Sequence, residues 1–447
     1  MSKLFGTDGV RGVAGTAPLD PATVTRLGAA LVRVLPHRGA GRVLVGRDTR
    51  ESGDWIEQAL ARGVASQGAQ LVSTGIVPTP AVAYLTGSRD FDAGLVISAS
   101  HNPFQDNGIK IFSGHGQKFA EAQERDIEVL VADPAFRVEL DTPAAVTRED
   151  LVDAYLGHAR MMLPSTGALA GARIGLDCAN GATATVAPRL FRELGFEVSV
   201  IGAEPDGRNI NLECGSTHPE CLSAVVKKEK LRFGVAFDGD GDRAILIDAD
   251  GKVVDGDAVL YLCAKHMRAG GRLKGNAIVA TVMSNIGLEI ALKEAGIGML
   301  RCPVGDKYVM EELVRRDLAL GGEQSGHIIF SEYLFTGDGL ATSLNVLRTM
   351  ATTGRTLGDL ASDLTTYPQV LMNLRVQEKV DLKTIPEVAA VLSSVESRLK
   401  GNGRLLVRYS GTEPLLRVML EGKDEAEIQR WGQEIIDAVR QHVGAAA

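Results

Sequence analysis

Asp238-Gly239-Asp240-Gly241-Asp242-Arg243 sets three carboxylates at i, i+2 and i+4 with glycine between them. In an extended segment that spacing turns all three to one side, and glycine lets the backbone curl around a point. Two unit charges about 4 Å apart interact by about 4 kcal/mol at an effective dielectric near 20, so a cluster of three requires a cation. All-oxygen ligands select a hard ion, Mg2+ or Ca2+. An EF-hand fails on register: with Asp238 as its first position, the required sixth-position glycine is Arg243 and the required twelfth-position glutamate is Ala249. A solvated Asp-Gly turn is the plainer alternative. Three carboxylates leave coordination positions open, and a phosphate oxygen is the usual partner of Mg2+ there.

The stretch Ser98-Ala99-Ser100-His101-Asn102-Pro103-Phe104-Gln105-Asp106-Asn107-Gly108-Ile109-Lys110 could supply that phosphate. Serine beside histidine suggests a nucleophile, but the G-x-S-x-G elbow is absent, because Ser98 and Asn102 flank Ser100 at two residues on either side. No Walker A motif occurs. The proline, an Asn-Gly turn and the returning Lys110 predict a tight loop gathering Ser100, His101 and Lys110. A serine that merely ends a strand is the alternative. A phosphate on Ser100 would add about −1.5 to −2 charge and three acceptor oxygens, which an open Mg2+ site of three aspartates would accept.

Three further loops have polar chemistry. Gly321 to His327, GGEQSGH, offers Glu323, Ser325 and His327 to neighbouring hydroxyls or to an amine, a carboxylate being the natural partner of an ammonium group. Arg408 to Pro414, RYSGTEP, together with Arg417, puts Arg408, the Ser410 and Thr412 hydroxyls and the Gly411 backbone around one turn, the composition of an anion cradle. Lys3 to Gly12, KLFGTDGVRG, sets Thr7, Asp8 and Arg11 in a glycine-rich stretch before the first helix. Ordinary polar turns and a flexible N-terminus are the alternatives for these three.

These loops need strands and helices to hold them. One theme occurs three times, a strand, a helix followed by glycine, and another strand. The first copy runs from Arg42–Gly46 through a helix over Asp54–Val64 to QLVSTGI and AGLVIS; the second from Arg173–Gly181 through Ala182–Leu194 and Gly195 to FEVSVIG; the third from Asn276–Ser284 through Ile286–Ala295 and Gly296 to GMLRCPVG. Alternation of this kind predicts mostly parallel sheets with helices on both faces, and ligands at the carboxyl ends of the strands. Ser100, the acidic run and Gly322 to His327 all follow strands. From about Leu371 the pattern becomes β-α-β-β-α, a separate α+β domain, and the domains are expected at 1–155, 156–254, 255–368 and 369–447.

The 447 residues are too many for one ordinary core. With 45% apolar and 23% charged residues and a mean hydropathy of +0.04, the composition is that of a soluble globular protein. A net charge of −8 argues against non-specific nucleic-acid binding as the main role. Five widely spaced cysteines without C-x-x-C indicate neither a disulfide scaffold nor a structural zinc site, so a reducing cytoplasm fits. The N-terminus lacks the apolar core of a signal peptide, and no run suits a membrane helix, so no membrane partner is expected.

FGTDGVRG, SASHNPFQDNGIK, DGDGDR, GGEQSGH and RYSGTEP occur in the order and at the spacing of the α-D-phosphohexomutases, which the whole chain resembles. Within that superfamily FGTDGVRG and Gln324 point to the bacterial phosphoglucosamine mutases. The resemblance implies three related mixed α/β domains plus a C-terminal α+β domain of the TATA-box-binding-protein kind, heart-shaped around a central cleft. It implies that Ser100 is a phosphoserine required for activity, and that Asp238, Asp240 and Asp242 bind one Mg2+ per subunit together with an oxygen of Ser100. Glu323 and Ser325 would read the sugar, and Arg408, Ser410, Gly411, Thr412 and Arg417 would hold the non-reacting phosphate. Arg11, His101, Lys110, Arg243 and His327 would surround the transferred phosphoryl group, with Lys110 the foremost general base or acid. A homodimer is compatible with the family.

The implied reaction interconverts glucosamine 6-phosphate and glucosamine 1-phosphate through glucosamine 1,6-bisphosphate, for UDP-N-acetylglucosamine synthesis. A lysine serves as base only if its pKa is lowered, for instance by neighbouring arginine charge and burial. A phosphomannomutase or phosphoglucomutase, a phosphoserine-dependent phosphatase and a non-catalytic sugar-phosphate sensor are the rival readings.

Overall fold

The computed structural model describes residues 4–6, 8–36, 41–139, 144–410 and 414–444. They pack as two compact units, Met1–Met283 with Ile297–Asp363, and Ser284–Gly296 with Leu364–Ala447.

The first unit contains three sheets, each with a parallel centre that ends on an antiparallel side. In the first, the order is Val10–Val13, Asp106–Ser113, Ala93–Ile97, Arg42–Arg47, Gln70–Ile76, Thr147–Arg148. Ala93–Ile97 runs parallel to Arg42–Arg47 but antiparallel to Asp106–Ser113. The second sheet is ordered Val253–Val254, Ala244–Ile247, Gly234–Phe237, Arg173–Asp177, Glu197–Ile201, and the third Gly298–Cys302, Ala277–Thr281, Leu320–Gly322, Ile328–Phe330. In each sheet one parallel strand turns back into an antiparallel neighbour, and the connecting loop holds candidate site residues: 98–105, 238–243 and 323–327. The three candidate loops do follow strands, while the sheets are more mixed than the alternating pattern suggests.

Burial explains the strands. Ala93–Ile97 and Gly234–Phe237 are buried at every position, as strands covered on both faces must be. Gly68, Gly195 and Gly296, each just past a helix of the repeat, have φ of +77°, +87° and +66°, the left-handed C-cap that glycine adopts without a Cβ penalty. The second strand is shorter than its apolar run, ending at Asp177, with the helix starting at Val186.

Asn107-Gly108 is not a turn. Both residues lie within the strand Asp106–Ser113, paired with Gly12 and Arg11. Glycine is needed there because a Cβ would come within 2.6 Å of the Ser98 carbonyl oxygen.

The second unit has a three-stranded antiparallel sheet in the order Gln369–Arg375, Leu415–Gly422, Gly403–Tyr409, with helices Pro386–Leu399 and Glu425–His442. This is the β-α-β-β-α unit expected from about Leu371. Helix Ile286–Glu294, the helix of the third repeat, belongs to this unit, where the Ile286 amide donates to Glu421 Oε2 at 3.1 Å.

Candidate active site

The acidic loop leaves Gly234–Phe237 and buries all three carboxylates, at 0%, 1% and 3% exposure for Asp238, Asp240 and Asp242. One oxygen from each lies within 4.8 Å of the others. Asp238 accepts from the Arg243 amide at 3.1 Å and from Ser100 Oγ at 2.5 Å. Asp240 Oδ2 accepts from Thr79 Oγ1 at 2.6 Å and Lys110 Nζ at 2.9 Å, and Asp242 Oδ2 from Lys110 Nζ at 3.0 Å. Asp240 Oδ1 and Asp242 Oδ1 are buried without a hydrogen-bond partner. Buried carboxylate oxygens are rarely left so, and an all-oxygen set with unused lone pairs fits a hard divalent cation. Burial and the charges of Asp242 and Asp240 push the Asp238 carboxyl well above the usual range, the effect of like charges gathered in a buried site.

Ser100 is 1% exposed and sits in the left-handed region at φ 53°, uncommon for a residue with a Cβ. The loop delivers its Oγ to the acidic site, and His101 Nδ1 stands 3.3 Å from the same oxygen. Burial, with the charges of Arg243 and Arg11, lowers the His101 pKa to about 4, so the ring is neutral near pH 7.

Lys110 comes from the neighbouring strand, opposite Val96, and is fully enclosed. Burial alone would depress its ammonium. Asp240, Asp242 and Asp8, the last at 3.1 Å, outweigh burial and hold its pKa well above the ordinary lysine value. The lowering expected from arginine charge and desolvation is thus present but outweighed, and the arrangement favours Lys110 as a cation and acid.

Asp8 is a hub that the sequence leaves looking like part of a glycine-rich arm. Its carboxylate takes Arg11 in a close contact, Lys118 at 2.5 Å and Lys110 at 3.1 Å. Lys118 also closely contacts Asp306.

The third loop joins the second through backbone. Arg243 and His327 form an antiparallel bridge, and the Ala244 amide donates to the Gly326 carbonyl at 3.1 Å. The Gly337 amide donates to His327 Nε2 at 3.0 Å, which leaves Nδ1 to carry the proton, 3.5 Å from Asp242 Oδ1. Glu323 Oε1 accepts from the Gly305 amide at 3.1 Å. A cavity of about 570 Å³ is lined in part by Asp8, Arg11, His101, Arg243, Glu323 and His327. Ser325 is exposed. Gln324 Nε2 bonds Asp255 Oδ2 at 3.1 Å, tying the loop to the N-cap of helix Gly256–Ala269.

In the second unit Arg408 and Arg417 face each other across the hairpin, and the Ser410 amide donates to the Leu415 carbonyl at 2.7 Å. Arg417 Nε is buried without a partner. Two arginines opposite one another repel unless an anion lies between them. Gly411 and Thr412, like Thr7 of the N-terminal loop, lie outside the described residues.

Sequence reasoning missed Lys118, Asp306 and Thr79, and also Arg50 and Asn211, whose side chains donate to the Ser100 carbonyl at 3.1 and 2.9 Å. Arg50 had a usable signal, because Asp48-Thr49-Arg50 follows the strand Arg42–Arg47 at its carboxyl end, as the other site loops follow theirs. Thr79 opens helix Thr79–Ser88 after a proline and touches Asp240 only through the fold.

The phosphoglucomutase/phosphomannomutase models for alpha/beta/alpha domains I, II and III match residues 2–137, 153–251 and 255–367, and the C-terminal domain model matches 371–438. A phosphoglucosamine mutase of Solibacter usitatus is 49% identical, with 99% of each chain covered, and one of a Geobacter species is 46% identical with both chains fully covered. Among solved structures, a putative phosphomannomutase from Thermus thermophilus is 27% identical with a TM-score of 0.80 over 98% of each chain. A phosphoglucomutase/phosphomannomutase family protein of Burkholderia thailandensis has the same fold, with a TM-score of 0.82 at 24% identity over 100% of this chain and 99% of its own.

Proposed function

The chain belongs to the phosphoglucomutase/phosphomannomutase family and, within it, to the phosphoglucosamine mutases, and we propose that it interconverts glucosamine 6-phosphate and glucosamine 1-phosphate through a phosphoserine at Ser100. The observation that carries the Ser100 reading is the 2.5 Å bond from its Oγ to Asp238, within a buried triad in which Asp240 Oδ1 and Asp242 Oδ1 lack partners.

Phospho-Ser100 gives its phosphoryl group to the sugar O1, the bisphosphate turns over, and the 6-phosphoryl group returns to Ser100. Each transfer exchanges one Oγ–P bond for one bond between phosphorus and a sugar oxygen. In the forward half the hydroxyl loses a proton and Oγ gains one, and the return half reverses both. Lys110, held as an ammonium by three carboxylates, is cast as the group that supplies the proton to Oγ and is restored by the proton that the sugar hydroxyl releases.

Asp238, Asp240 and Asp242 would hold Mg2+ together with a phosphoserine oxygen; the ion supplies charge neutralisation at the phosphoryl oxygens when bound. Arg11 and Arg243 line the cavity beside the triad and provide positive charge for the same oxygens. His101, neutral at 3.3 Å from Ser100 Oγ, orients that oxygen, and His327 steadies Asp242. Glu323 and Ser325 are assigned to the sugar, the Glu323 carboxylate to the amine. Arg408, Ser410, Gly411, Thr412 and Arg417 are assigned to the non-reacting phosphate.

Rates on glucosamine 6-phosphate, glucose 1-phosphate and mannose 1-phosphate test the substrate. Negligible turnover of the amino sugar beside rapid turnover of another would overturn the assignment.

A further inference from the structure

We propose that Arg50 is a positioning residue for phosphoryl transfer, one that locks the backbone of Ser100 from beneath; the inference rests on the reading of Ser100 as the phosphoryl carrier. Arg50 is 0% exposed, unusual for an arginine. Its Nε donates to Asp48 Oδ2 at 2.9 Å. Its Nη1 donates to the carbonyls of Pro103, in a close contact, and of Asp106 at 3.0 Å. Its Nη2 donates to those of Ser100 at 3.1 Å and Asn102 at 2.8 Å. A guanidinium has five N–H bonds, and here each meets an oxygen, four of them main-chain carbonyls of the segment 100–106.

Asp48 orients the fork. Its Oδ1 accepts the Arg50 amide at 3.0 Å, and its Oδ2 also accepts Ser98 Oγ at 2.5 Å. Ser98 Oγ in turn accepts the Ser100 amide at 2.9 Å. Asn211, from the second sheet's domain, adds another donor to the Ser100 carbonyl at 2.9 Å. Both backbone polar groups of Ser100 are thereby fixed from within the protein.

This fixing has a purpose at φ 53°. A left-handed residue with a Cβ persists only where its surroundings over-determine it. Relaxation toward the extended region would swing Oγ away from Asp238 and off the line of attack. The side-chain hydrogen bonds of Arg50 go to Asp48 and to main-chain carbonyls of the Ser100 loop, none to the side chains of Arg11, His101, Arg243 or Glu323, so its effect passes through the loop backbone. Lysine cannot replace it, because a compact ammonium with three donors does not span five separated acceptors.

The test compares Arg50→Lys with wild type in steady-state kinetics on glucosamine 6-phosphate and in the 31P resonance of phospho-Ser100, both proteins being checked for fold by thermal melting. The expected result is a kcat about 10²-fold lower with KM within about threefold, since misplacement by about 1 Å costs that much, together with a shifted or broadened resonance. A folded variant with kcat within about threefold of wild type and an unchanged resonance overturns the proposal. If Arg50→Lys does not fold, Ser98→Ala takes its place. It removes only the hydroxyl between Asp48 and the Ser100 amide and should lower kcat about tenfold at unchanged KM, and an unchanged kcat there overturns the proposal equally. Wild type without turnover would overturn the mutase reading instead, while the resonance comparison still decides the role of Arg50.

Discussion

Ser100 Oγ donates a 2.5 Å hydrogen bond to Asp238 Oδ2, joining two residues 138 positions apart in the chain. Each lies on a loop where a parallel strand turns back into an antiparallel one, and their meeting converts two separate motifs into one site.

Replacing Lys110 by alanine should abolish turnover and destabilise the metal-free protein. The variant leaves Asp8, Asp240 and Asp242 facing one another without their common cation, a loss of about 3–5 kcal/mol for a broken buried pair. Thermal melts with and without Mg2+ check this, and added Mg2+ should recover more stability in the variant than in wild type.

Mg2+ should bind at the partnerless oxygens Asp240 Oδ1 and Asp242 Oδ1 and stabilise the folded chain. At about 100 times the dissociation constant the gain is about 2.7 kcal/mol, and chelator should remove it. Asp240→Asn should lose most of the gain, as read by titration calorimetry without any substrate.

Asp338, not itself a metal ligand though it feels the charge of Asp242, provides a pH dependence. Burial raises its pKa to about 6, despite hydrogen bonds from the Ala341 amide and from Tyr155. A carboxyl raised on folding binds its proton more tightly in the native state, so its stabilisation is complete below the unfolded pKa and fades as pH rises through 6. Over pH 4 to 7 this amounts to about 3 kcal/mol. Asp338→Asn should therefore gain on wild type across that window in urea unfolding, and parallel stability curves would contradict the assignment.

Glu323→Gln should raise KM for glucosamine 6-phosphate more than for glucose 1-phosphate. The variant retains hydrogen-bonding capacity but loses the charge that pairs with the amine, a difference of about 1 kcal/mol or fivefold. Equal changes for both sugars would remove Glu323 from amine recognition.

Much of this was legible in the chain. The Gly-Asp alternation of 238–242, the serine after a buried apolar run and the glycines beyond each helix express local rules of spacing, charge and backbone freedom, and all recur in the fold. Asn107-Gly108 misled, since the same dipeptide that favours a hairpin turn also lets a strand pass close to the Ser98 carbonyl. The pKa direction of Lys110 could not be read either, because it depends on three carboxylates, at 8, 240 and 242, that meet only after folding. The same holds for Thr79 and Asn211, whose roles rest on partners more than 100 residues away.

The most direct measurement of the central claim starts from purified protein carrying labelled phosphate and adds glucosamine 6-phosphate, following label on Ser100 and glucosamine 1-phosphate together. The account predicts that label leaves Ser100 for the sugar bisphosphate and product as glucosamine 1-phosphate appears, and that Ser100→Ala neither carries label nor forms product. Formation of glucosamine 1-phosphate by Ser100→Ala, or turnover with the label remaining on the protein, would contradict it.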